Sequence, residues 1–364
     1  MQIISIVPRL PPAIDGVGDY ALNLAKQISK DFGIVTHFIV GDPVWSNNRE
    51  IHSFSVAQLK LRSASSLLTV LSDQSIVNKD STTTVLLHYV GYGYAKRGCP
   101  FWLVNALSKW RNTTFNSSLV TMFHEVYATG PVWSSSFWLS PLQKNLAMRL
   151  SRSSDRCLTS KQGYAQMICE LSGGKHINIP TLPVFSNIGE PELVPPLKAR
   201  SKRLVIFGGS SNRQRVYQRS RNALESICQE LEIEEILDIG PSIDIALSSI
   251  NGIPVVKMGK RTTTEISQVM LNSLAGFFDY HTEYLSKSTI FAAYCAHGLI
   301  PIGTFYSDLQ VDGLVVGKHY WLADRPTGKL NLERGQAIAH QAYTWYQNHN
   351  LSAQAKLFFT CLNL

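Results

Sequence analysis

A glycine-rich loop in the second half of the chain has the residue types needed to bind a diphosphate. Gly208 and Gly209 directly follow a predicted strand, residues 203–207, and precede a helical pattern. Glycines let a ligand approach the backbone closely, and the N–H groups at a helix start attract anions. Arg213 and Arg215 add guanidinium groups, which stay charged and match phosphate oxygens. We therefore expect these residues to bind diphosphate, although a solvated surface loop is the alternative.

A second anion site is predicted where residues 279–288 end one strand and open the next helix. Ser286 and Ser288 lie near the expected helix start, where a serine caps free N–H groups, and Lys287 lies between them. Glu283, slightly upstream, is a candidate acceptor of hydrogen bonds from sugar or ribose hydroxyls. Its alternative is an exposed carboxylate without a ligand.

The first half of the chain contains a glycine loop of a different kind. Gly16, Val17 and Gly18 begin a Gly-x-Gly-x-x-Ala sequence, and Asp42 follows the next predicted strand. This spacing imitates a dinucleotide-binding fingerprint, in which the first glycine ends the strand directly. Here residues 9–15 intervene, so we do not expect a nicotinamide cofactor. We expect Gly16, Val17 and Gly18 to bring backbone N–H groups near a ligand, a purely structural turn being the alternative.

His124 and Glu125 are the candidate catalytic residues. They follow a predicted strand, residues 119–123, while His88 lies at the end of the preceding one. Ligands of open α/β sheets bind beyond the carboxyl ends of the strands. Two histidines at successive strand ends therefore favour a functional role over that of satisfied structural groups.

These residues are predicted to lie on two α/β domains, because alternating strand and helix patterns run through the first half and then begin again. The expected strands are residues 2–8, 34–40, 84–89, 119–123, 156–159 and 176–179, and later 203–207, 235–239, 252–256, 274–279 and 299–303. The expected helices are residues 17–30, 53–75, 101–110, 141–151 and 162–171, and later 216–230, 263–272, 287–297, 332–347 and 351–362.

The proline-rich segment 183–200 is the expected linker between a first domain, residues 1–182, and a second, residues 201–348. Residues 349–364 form a closing helix that could pack back on the first domain. The predicted fold is therefore two Rossmann-like doubly wound parallel sheets that face each other across a cleft.

Composition narrows the class of protein. The chain has 364 residues, 45% hydrophobic and 16% charged, as expected for globular domains. It contains neither a secretion signal nor an apolar run long enough to cross a bilayer, so we expect a cytoplasmic protein. The six cysteines are scattered without metal-ligand spacing, and no metal is expected.

The net charge of +8 lies mainly in the first half. Residues 1–190 contain 17 Lys and Arg against 11 Asp and Glu, a net of +6. This excess is compatible with peripheral contact with an anionic membrane, or simply with a basic solvated surface. Nucleic acid is not an expected partner, because no basic stripe alternates with stacking aromatic residues.

With these motifs the chain resembles the retaining glycosyltransferases of family four, which have the GT-B fold. The resemblance lies in residues 15–18, 123–125, 159–160, 208–215 and 295–302. It implies that the first domain binds a saccharide or lipid-linked acceptor and the second a nucleotide-diphosphate sugar, the co-substrate, with no cofactor or metal. It also implies that Gly16 lies near the donor phosphates, that His124 lies near the reacting sugar, and that Arg213 or Arg215 binds diphosphate.

One family motif is missing. When Gly298 is aligned with the family's glycine, Leu285 and Ala293 stand where that family has the two glutamates of a Glu-x7-Glu pair. The expected activity is transfer of a hexosyl group to an acceptor hydroxyl with retention. The alternative is a catalytically degenerate module that binds a nucleotide sugar or glycan.

Overall fold

Strands and helices alternate along the chain in the computed structural model, which describes residues 2–45, 49–76, 83–114, 116–245, 247–304, 311–325 and 328–362. The strands are β1 Gln2–Val7, β2 Thr36–Val40, β3 Glu50–Ile51, β4 Phe54–Gln58, β5 Thr83–Tyr89, β6 Ser117–Phe123, β7 Arg156–Thr159, β8 Ser201–Phe207, β9 Glu235–Ile239, β10 Ser249–Ile250, β11 Ile253–Gly259, β12 Ser273–Phe278, β13 Ile300–Gly303 and β14 Trp321–Leu322.

The helices are α1 Gly16–Phe32, α2 Ala64–Ile76, α3 Gly91–Tyr94, α4 Phe101–Thr113, α5 Ser135–Ser153, α6 Gln162–Ser172, α7 Ser210–Arg219, α8 Arg221–Glu230, α9 Thr263–Leu271, α10 Thr289–Ala296, α11 Leu332–Gln347 and α12 Leu351–Leu362. The chain divides into two units. Unit 1 is Met1–Pro183 with Leu351–Leu364, and unit 2 is Val184–Asn350.

Unit 1 is built on a seven-stranded sheet in the order β3-β4-β2-β1-β5-β6-β7. Every pair is parallel except β3 with β4. All residues of β1 and β5 are buried, because helices cover both faces of a doubly wound sheet. The run Ile3–Val7, apolar except for the buried Ser5, follows from that double coverage.

Helix α1 shows how the sequence sets its own boundaries. The Asp15 carboxylate accepts hydrogen bonds from the N–H groups of Val17 and Gly18, and Gly33 ends the helix with a φ of 66°. Both are preferred end signals, a polar N-cap and a left-handed glycine. Buried residues such as Tyr20 and Leu24 then recur at helical spacing and face the sheet.

Helix α12 belongs to unit 1, although the whole of unit 2 precedes it in the chain. Phe359 stacks on Phe32 of α1 with ring centroids 4.0 Å apart. The side chain of Gln354, buried in α12, accepts a hydrogen bond from the Tyr20 hydroxyl and donates one to the Pro183 carbonyl. The closing helix is therefore bonded both to α1 and to the last residue of unit 1 before unit 2 begins.

Unit 2 repeats the plan with a seven-stranded sheet in the order β10-β11-β9-β8-β12-β13-β14. Only β10 and β11 pair in antiparallel fashion among its described strands. Leu204, Ile206, Ile236 and Phe277 lie in one core with apolar residues of α7 and α8. The two sheets thus share the fold class expected from the sequence.

Several predicted elements differ from the observed ones. No strand forms at residues 176–179; the chain leaves α6 through Gly173 and Gly174, both at positive φ, and makes a single parallel bridge between Thr159 and Thr181. The predicted helix at 53–75 contains β4 before α2 begins. The predicted helix at 287–297 is a 3-10 turn, Thr282–Lys287, followed by the shorter α10.

Within the described residues, none of the helices is both long and apolar enough to cross a bilayer.

Candidate functional site

In each sheet the first strand is central and its neighbours are added on opposite sides. In unit 1, β1 lies between β2 and β5, and in unit 2, β8 lies between β9 and β12. Ligands of doubly wound sheets bind beyond the carboxyl ends of the strands at such a switch point. The loops after β1, β5, β8 and β12 are therefore the candidate positions for a ligand site.

The glycine loop after β8 contacts the start of α10. Gly208 has a φ of 133°, and a Cβ there would lie 2.5 Å from Cδ1 of Ile290. Gly209 precedes α7 at its N-cap position, and a Cβ there would meet nothing within 4 Å. Gly208 is thus required for close packing and a left-handed backbone, whereas Gly209 leaves open space at a helix start.

Arg213 holds this loop from inside. Its side chain is 1% exposed and forms an ion pair with Asp238 at the end of β9. It also donates to the carbonyls of Gly208, at 3.0 Å, and Pro241, and Tyr217 donates to the other Asp238 oxygen at 2.6 Å. These bonds satisfy a buried charge within the fold. Arg213 is therefore not among the residues that we propose for the diphosphate site.

Arg215 faces the end of β12 instead. Its Nε lies 3.7 Å from Oδ1 of Asp279, and a terminal nitrogen donates to the Asn212 side chain at 2.5 Å. The Arg215 side chain is 33% exposed, whereas the Asp279 side chain is 1% exposed and accepts a further bond from Ser220 at 2.8 Å. A guanidinium has five N–H donors, so Arg215 can keep these bonds and still bind an anion.

A small pocket at this edge is lined by two of the predicted residues, Arg213 and Ser288. Its polar lining comes from the start of α7, the end of β12 and the start of α10, and consists of Asn212, Arg213, Asp279, Tyr280 and Ser288. The predicted serine cap is confirmed at Ser288, whose hydroxyl accepts from the Phe291 N–H at 3.2 Å. The pocket therefore lies at the switch point, beside a capped helix start.

Other residues predicted for this region have internal contacts. Ser286 is buried and donates to the Asp312 carboxylate at 2.6 Å. The Lys287 ammonium lies 5.5 Å from the centre of the Tyr284 ring. Glu283 is half-buried in the 3-10 turn and does not line the pocket. Of these, Lys287 has the charge that a phosphate group requires.

The residues that replace the family's glutamate pair lie in the core. Leu285 is 1% exposed and Ala293 is 0% exposed. At both positions an apolar side chain contacts other core residues instead of a ligand surface. Any contact with a ribose or a sugar hydroxyl must therefore come from other residues.

In unit 1, the glycine loop after β1 is organised by its own carboxylate. Oδ1 of Asp15 lies 3.0 Å from the Val17 nitrogen and 3.1 Å from the Gly18 nitrogen. A Cβ on Gly18 would lie 2.0 Å from the Arg9 carbonyl oxygen, whereas one on Gly16 would meet nothing within 4 Å. The N–H groups predicted to meet a phosphate are thus bonded to Asp15, and Gly16 has the open approach.

His88 and His124 lie together at the ends of β5 and β6. Nδ1 of His88 is 3.1 Å from Nε2 of His124, and the ring of Tyr20 contacts both edge-on at 5.9 and 5.0 Å between centroids. Burial, together with His124, lowers the pKa of His88 well below its ordinary 6.5. Glu125 follows, half-buried. This cluster is aromatic, and burial keeps the His88 imidazole neutral.

Sequence reasoning missed Tyr20 in this cluster and Asp19, which precedes it in α1. Burial and the neighbouring Asp15 raise the pKa of the Asp19 carboxyl from 3.8 to about 6. Burial raises the pKa of Tyr20 as well. Acidic side chains whose pKa is shifted, at an edge where a ligand could bind, are candidate functional residues. The available signal was their position in the first turn of the helix that follows the glycine loop.

Among the described residues, no group of His, Cys, Asp and Glu side chains is arranged to hold a metal ion.

The chain matches no protein-family model and no curated protein sequence. Its fold is similar to that of solved glycosyltransferases. The pneumococcal O-GlcNAc transferase GtfA, solved with UDP and GlcNAc, gives a TM-score of 0.61 at 9% identity and covers 100% of this chain and 98% of that chain. TarM gives a TM-score of 0.60 at 9% identity and covers 100% of this chain and 99% of that chain.

WaaG, a glycosyltransferase involved in lipopolysaccharide biosynthesis, gives a TM-score of 0.57 at 10% identity, with 99% of each chain covered. These likenesses extend over both units and agree with two doubly wound, mostly parallel sheets. The chain therefore has the two-domain GT-B fold.

Proposed function

We propose that the protein transfers a hexosyl group from a nucleotide-diphosphate sugar to an acceptor hydroxyl, with retention at the anomeric carbon. The observation that carries the proposal is the convergence of Gly209, Arg215 and Ser288 at the switch point of unit 2. Ser288 lines a pocket there with Asp279, and the partly exposed guanidinium of Arg215 lies 3.7 Å from that carboxylate. Gly209, where a Cβ would meet open space, precedes α7 at its N-cap position. These groups suit a diphosphate.

The diphosphate would develop charge as it leaves the sugar. Arg215, the starts of α7 and α10, and Lys287 would stabilise that charge without a metal. The departing phosphate would itself accept the acceptor proton. His124 would then bind and polarise a sugar hydroxyl, since its imidazole ring carries hydrogen-bonding nitrogens.

The acceptor would bind at the carboxyl edge of the unit 1 sheet, where Gly16 and His124 follow β1 and β6. A saccharide or a lipid-linked saccharide fits this proposal, because both present hydroxyl groups. The structures of GtfA with UDP and GlcNAc and of WaaG, from lipopolysaccharide biosynthesis, support this class of substrate.

Donor binding is tested by a thermal-shift screen of nucleotide sugars, followed by calorimetry of the best ligand. A ligand that binds only the folded protein raises Tm. Arg215→Ala should weaken binding roughly 10- to 100-fold, because hydrogen bonds to charged groups contribute about 1.5–3 kcal/mol. Arg221→Ala is the matched control, since its partner Glu225 lies on the same exposed helix. Equal affinity for the two variants would contradict the proposed site.

A second candidate is a module that binds a nucleotide sugar or glycan without turnover. The burial of Leu285 and Ala293 favours it, since no glutamate pair is available at those positions. The two candidates separate in a transfer and hydrolysis assay with the identified donor and a panel of acceptors. Turnover that His124→Ala reduces supports the enzyme. Donor binding with neither transfer nor hydrolysis supports the module.

A further inference from the structure

Large apolar side chains are exposed around the start of α5 in unit 1. Trp133 is 85% exposed and Trp138 is 71% exposed, with Phe137 and Leu142 also exposed beside them. The rings of Phe137 and Trp138 contact each other, with centroids 5.4 Å apart. Tryptophan is usually largely buried in globular proteins, so a contiguous exposed group of this kind indicates an interaction surface.

The packing of α5 explains why these residues remain uncovered by α4. Arg149 bonds to Asn105 at 2.7 Å, and Ser153 lies 3.0 Å from Ser108, so the two helices run side by side in the same direction. This register places the start of α4 beside the middle of α5. The inward residues of α5, such as Leu146 and Leu150, are buried, while its first two turns extend beyond α4.

Basic residues are held next to this apolar group. The buried Gln143 of α5 donates to the Arg97 carbonyl at 3.0 Å and to the Tyr92 hydroxyl at 3.3 Å. It thereby fixes the segment that contains Lys96 and Arg97 against α5, which contributes Lys144. All three cations are exposed, and within the described part of the chain none of them forms an ion pair.

The charge of this region accounts for the basic first half of the chain. Residues 91–153 contain seven Lys and Arg and a single acidic residue, Glu125, a net of +6. That equals the net charge of residues 1–190 as a whole. Lys96, Arg97 and Lys144 are the members of this set that lie beside the apolar group, whereas Arg111 pairs with Asp155.

We propose that this surface, the α5 face formed by Trp133, Phe137, Trp138 and Leu142 with Lys96, Arg97 and Lys144, binds an anionic lipid bilayer. Tryptophan and phenylalanine on one side and lysine and arginine beside them are the composition of interfacial membrane-binding segments. The aromatic side chains insert at the headgroup level, and the cations bind anionic headgroups. The contact is peripheral.

The test is sedimentation of the full chain with vesicles of phosphatidylcholine alone and with roughly 30% phosphatidylglycerol, at low and high salt. Binding to the anionic vesicles should weaken as salt rises. Lys96→Glu/Arg97→Glu/Lys144→Glu should reduce the partition coefficient more than 100-fold, since each cation contributes about fivefold. Trp133→Ser/Trp138→Ser should reduce it at least tenfold.

Matched controls alter the same number of exposed residues elsewhere. Lys198→Glu/Lys260→Glu/Lys318→Glu makes the same change of net charge in unit 2, and Ile177→Ser/Leu193→Ser removes two exposed apolar side chains. Both should bind much more tightly than the α5-face variants. A control that loses as much binding as its α5-face counterpart overturns the proposal, as does a wild-type chain that does not sediment with anionic vesicles.

Quenching by brominated lipids locates the contact without a large change to the fold. Fluorescence of the wild type should be quenched on binding, and Trp133→Phe/Trp138→Phe should keep binding while losing most of the quenching. Unchanged quenching in that variant would place the bilayer on another surface and refute the proposal. Vesicle binding does not require turnover. Failure to bind vesicles would therefore not contradict the proposed transferase activity, and a protein without transferase activity could still bind vesicles.

Discussion

The carboxyl edges of the two sheets lie at the same topological position but differ in chemistry. At the edge of unit 1, His88, His124 and Tyr20 pack together, and burial keeps His88 neutral. At the edge of unit 2, Arg213 is bonded to Asp238, and Arg215 lies near Asp279. The doubly wound plan fixes where loops converge, whereas the side chains on those loops fix which ligand charge each edge accepts.

This difference agrees with the proposal that unit 1 binds the acceptor and unit 2 binds the donor. An edge lined by Tyr20 and two imidazole rings suits an uncharged hydroxyl, because a hydroxyl costs less to desolvate than a charged ligand. An edge with a partly exposed guanidinium, that of Arg215, suits a diphosphate. Three substitutions test the contacts on which this difference between the two units depends.

The largest expected effect is in unit 2. Arg213→Met leaves Asp238 buried without its cation, and breaking a buried pair in this way costs about 3–5 kcal/mol. Arg221→Met breaks an exposed pair on α8 and should cost less than about 0.5 kcal/mol. The free energy of unfolding of both variants is measured by urea denaturation. A cost below about 1 kcal/mol for Arg213→Met would contradict the structural role assigned to it.

The next effect concerns the glycine loop of unit 1. In Gly18→Ala the new methyl group would overlap the Arg9 carbonyl, and overpacking of this kind costs about 1–3 kcal/mol. Gly16→Ala, two residues earlier, meets open space and should change the free energy of unfolding by less than about 0.5 kcal/mol. Similar losses in the free energy of unfolding for both variants would mean that close packing does not distinguish the two glycines.

The smallest effect is a gain of stability at Asp19. Its pKa in the folded protein, about 6, lies above the unfolded value of 3.8, so the native state binds the proton more tightly. Stability contributed by the protonated group is therefore present below about pH 4 and is lost as pH rises through 6. Because the carboxyl is partly exposed, we expect Asp19→Asn to gain only about 1–2 kcal/mol at pH 8.

Most of that gain should disappear at pH 4, where Asp19 is protonated in the native state and partly protonated in the unfolded chain. Asp31→Asn, on the exposed last turn of α1, should change stability by less than about 0.5 kcal/mol at either pH. If Asp19→Asn is stabilised but transfers sugar poorly, the carboxylate is retained for function. A variant that is no more stable at pH 8 than the wild type would exclude the raised pKa.

Strongly periodic and buried segments could be predicted from the sequence alone. The strand at residues 156–159 and the helices at 332–347 and 351–362 are confirmed at the same bounds. The segment at 53–75 was harder, because a short strand and a short apolar helix start have similar patterns. The strand predicted at 176–179 fails because Gly173 and Gly174 turn the chain there.

The glycine loops and the histidines at strand ends could be found from spacing, but their bonding could not. Nothing in the local sequence distinguishes Arg213, which is buried against Asp238, from Arg215, which is partly exposed. The difference arises because one helical turn presents Arg213 to β9 and Arg215 to β12. In the same way, the contact between Tyr20 and His124 joins residues far apart in the chain.

The position of α12 has a consequence for synthesis. Domains generally fold in order as the chain leaves the ribosome, yet unit 1 cannot recruit this helix until all of unit 2 has been made. During that interval Phe32 lacks its stacking partner, and the Tyr20 hydroxyl lacks Gln354. The half that is translated first is consequently the half that is completed last.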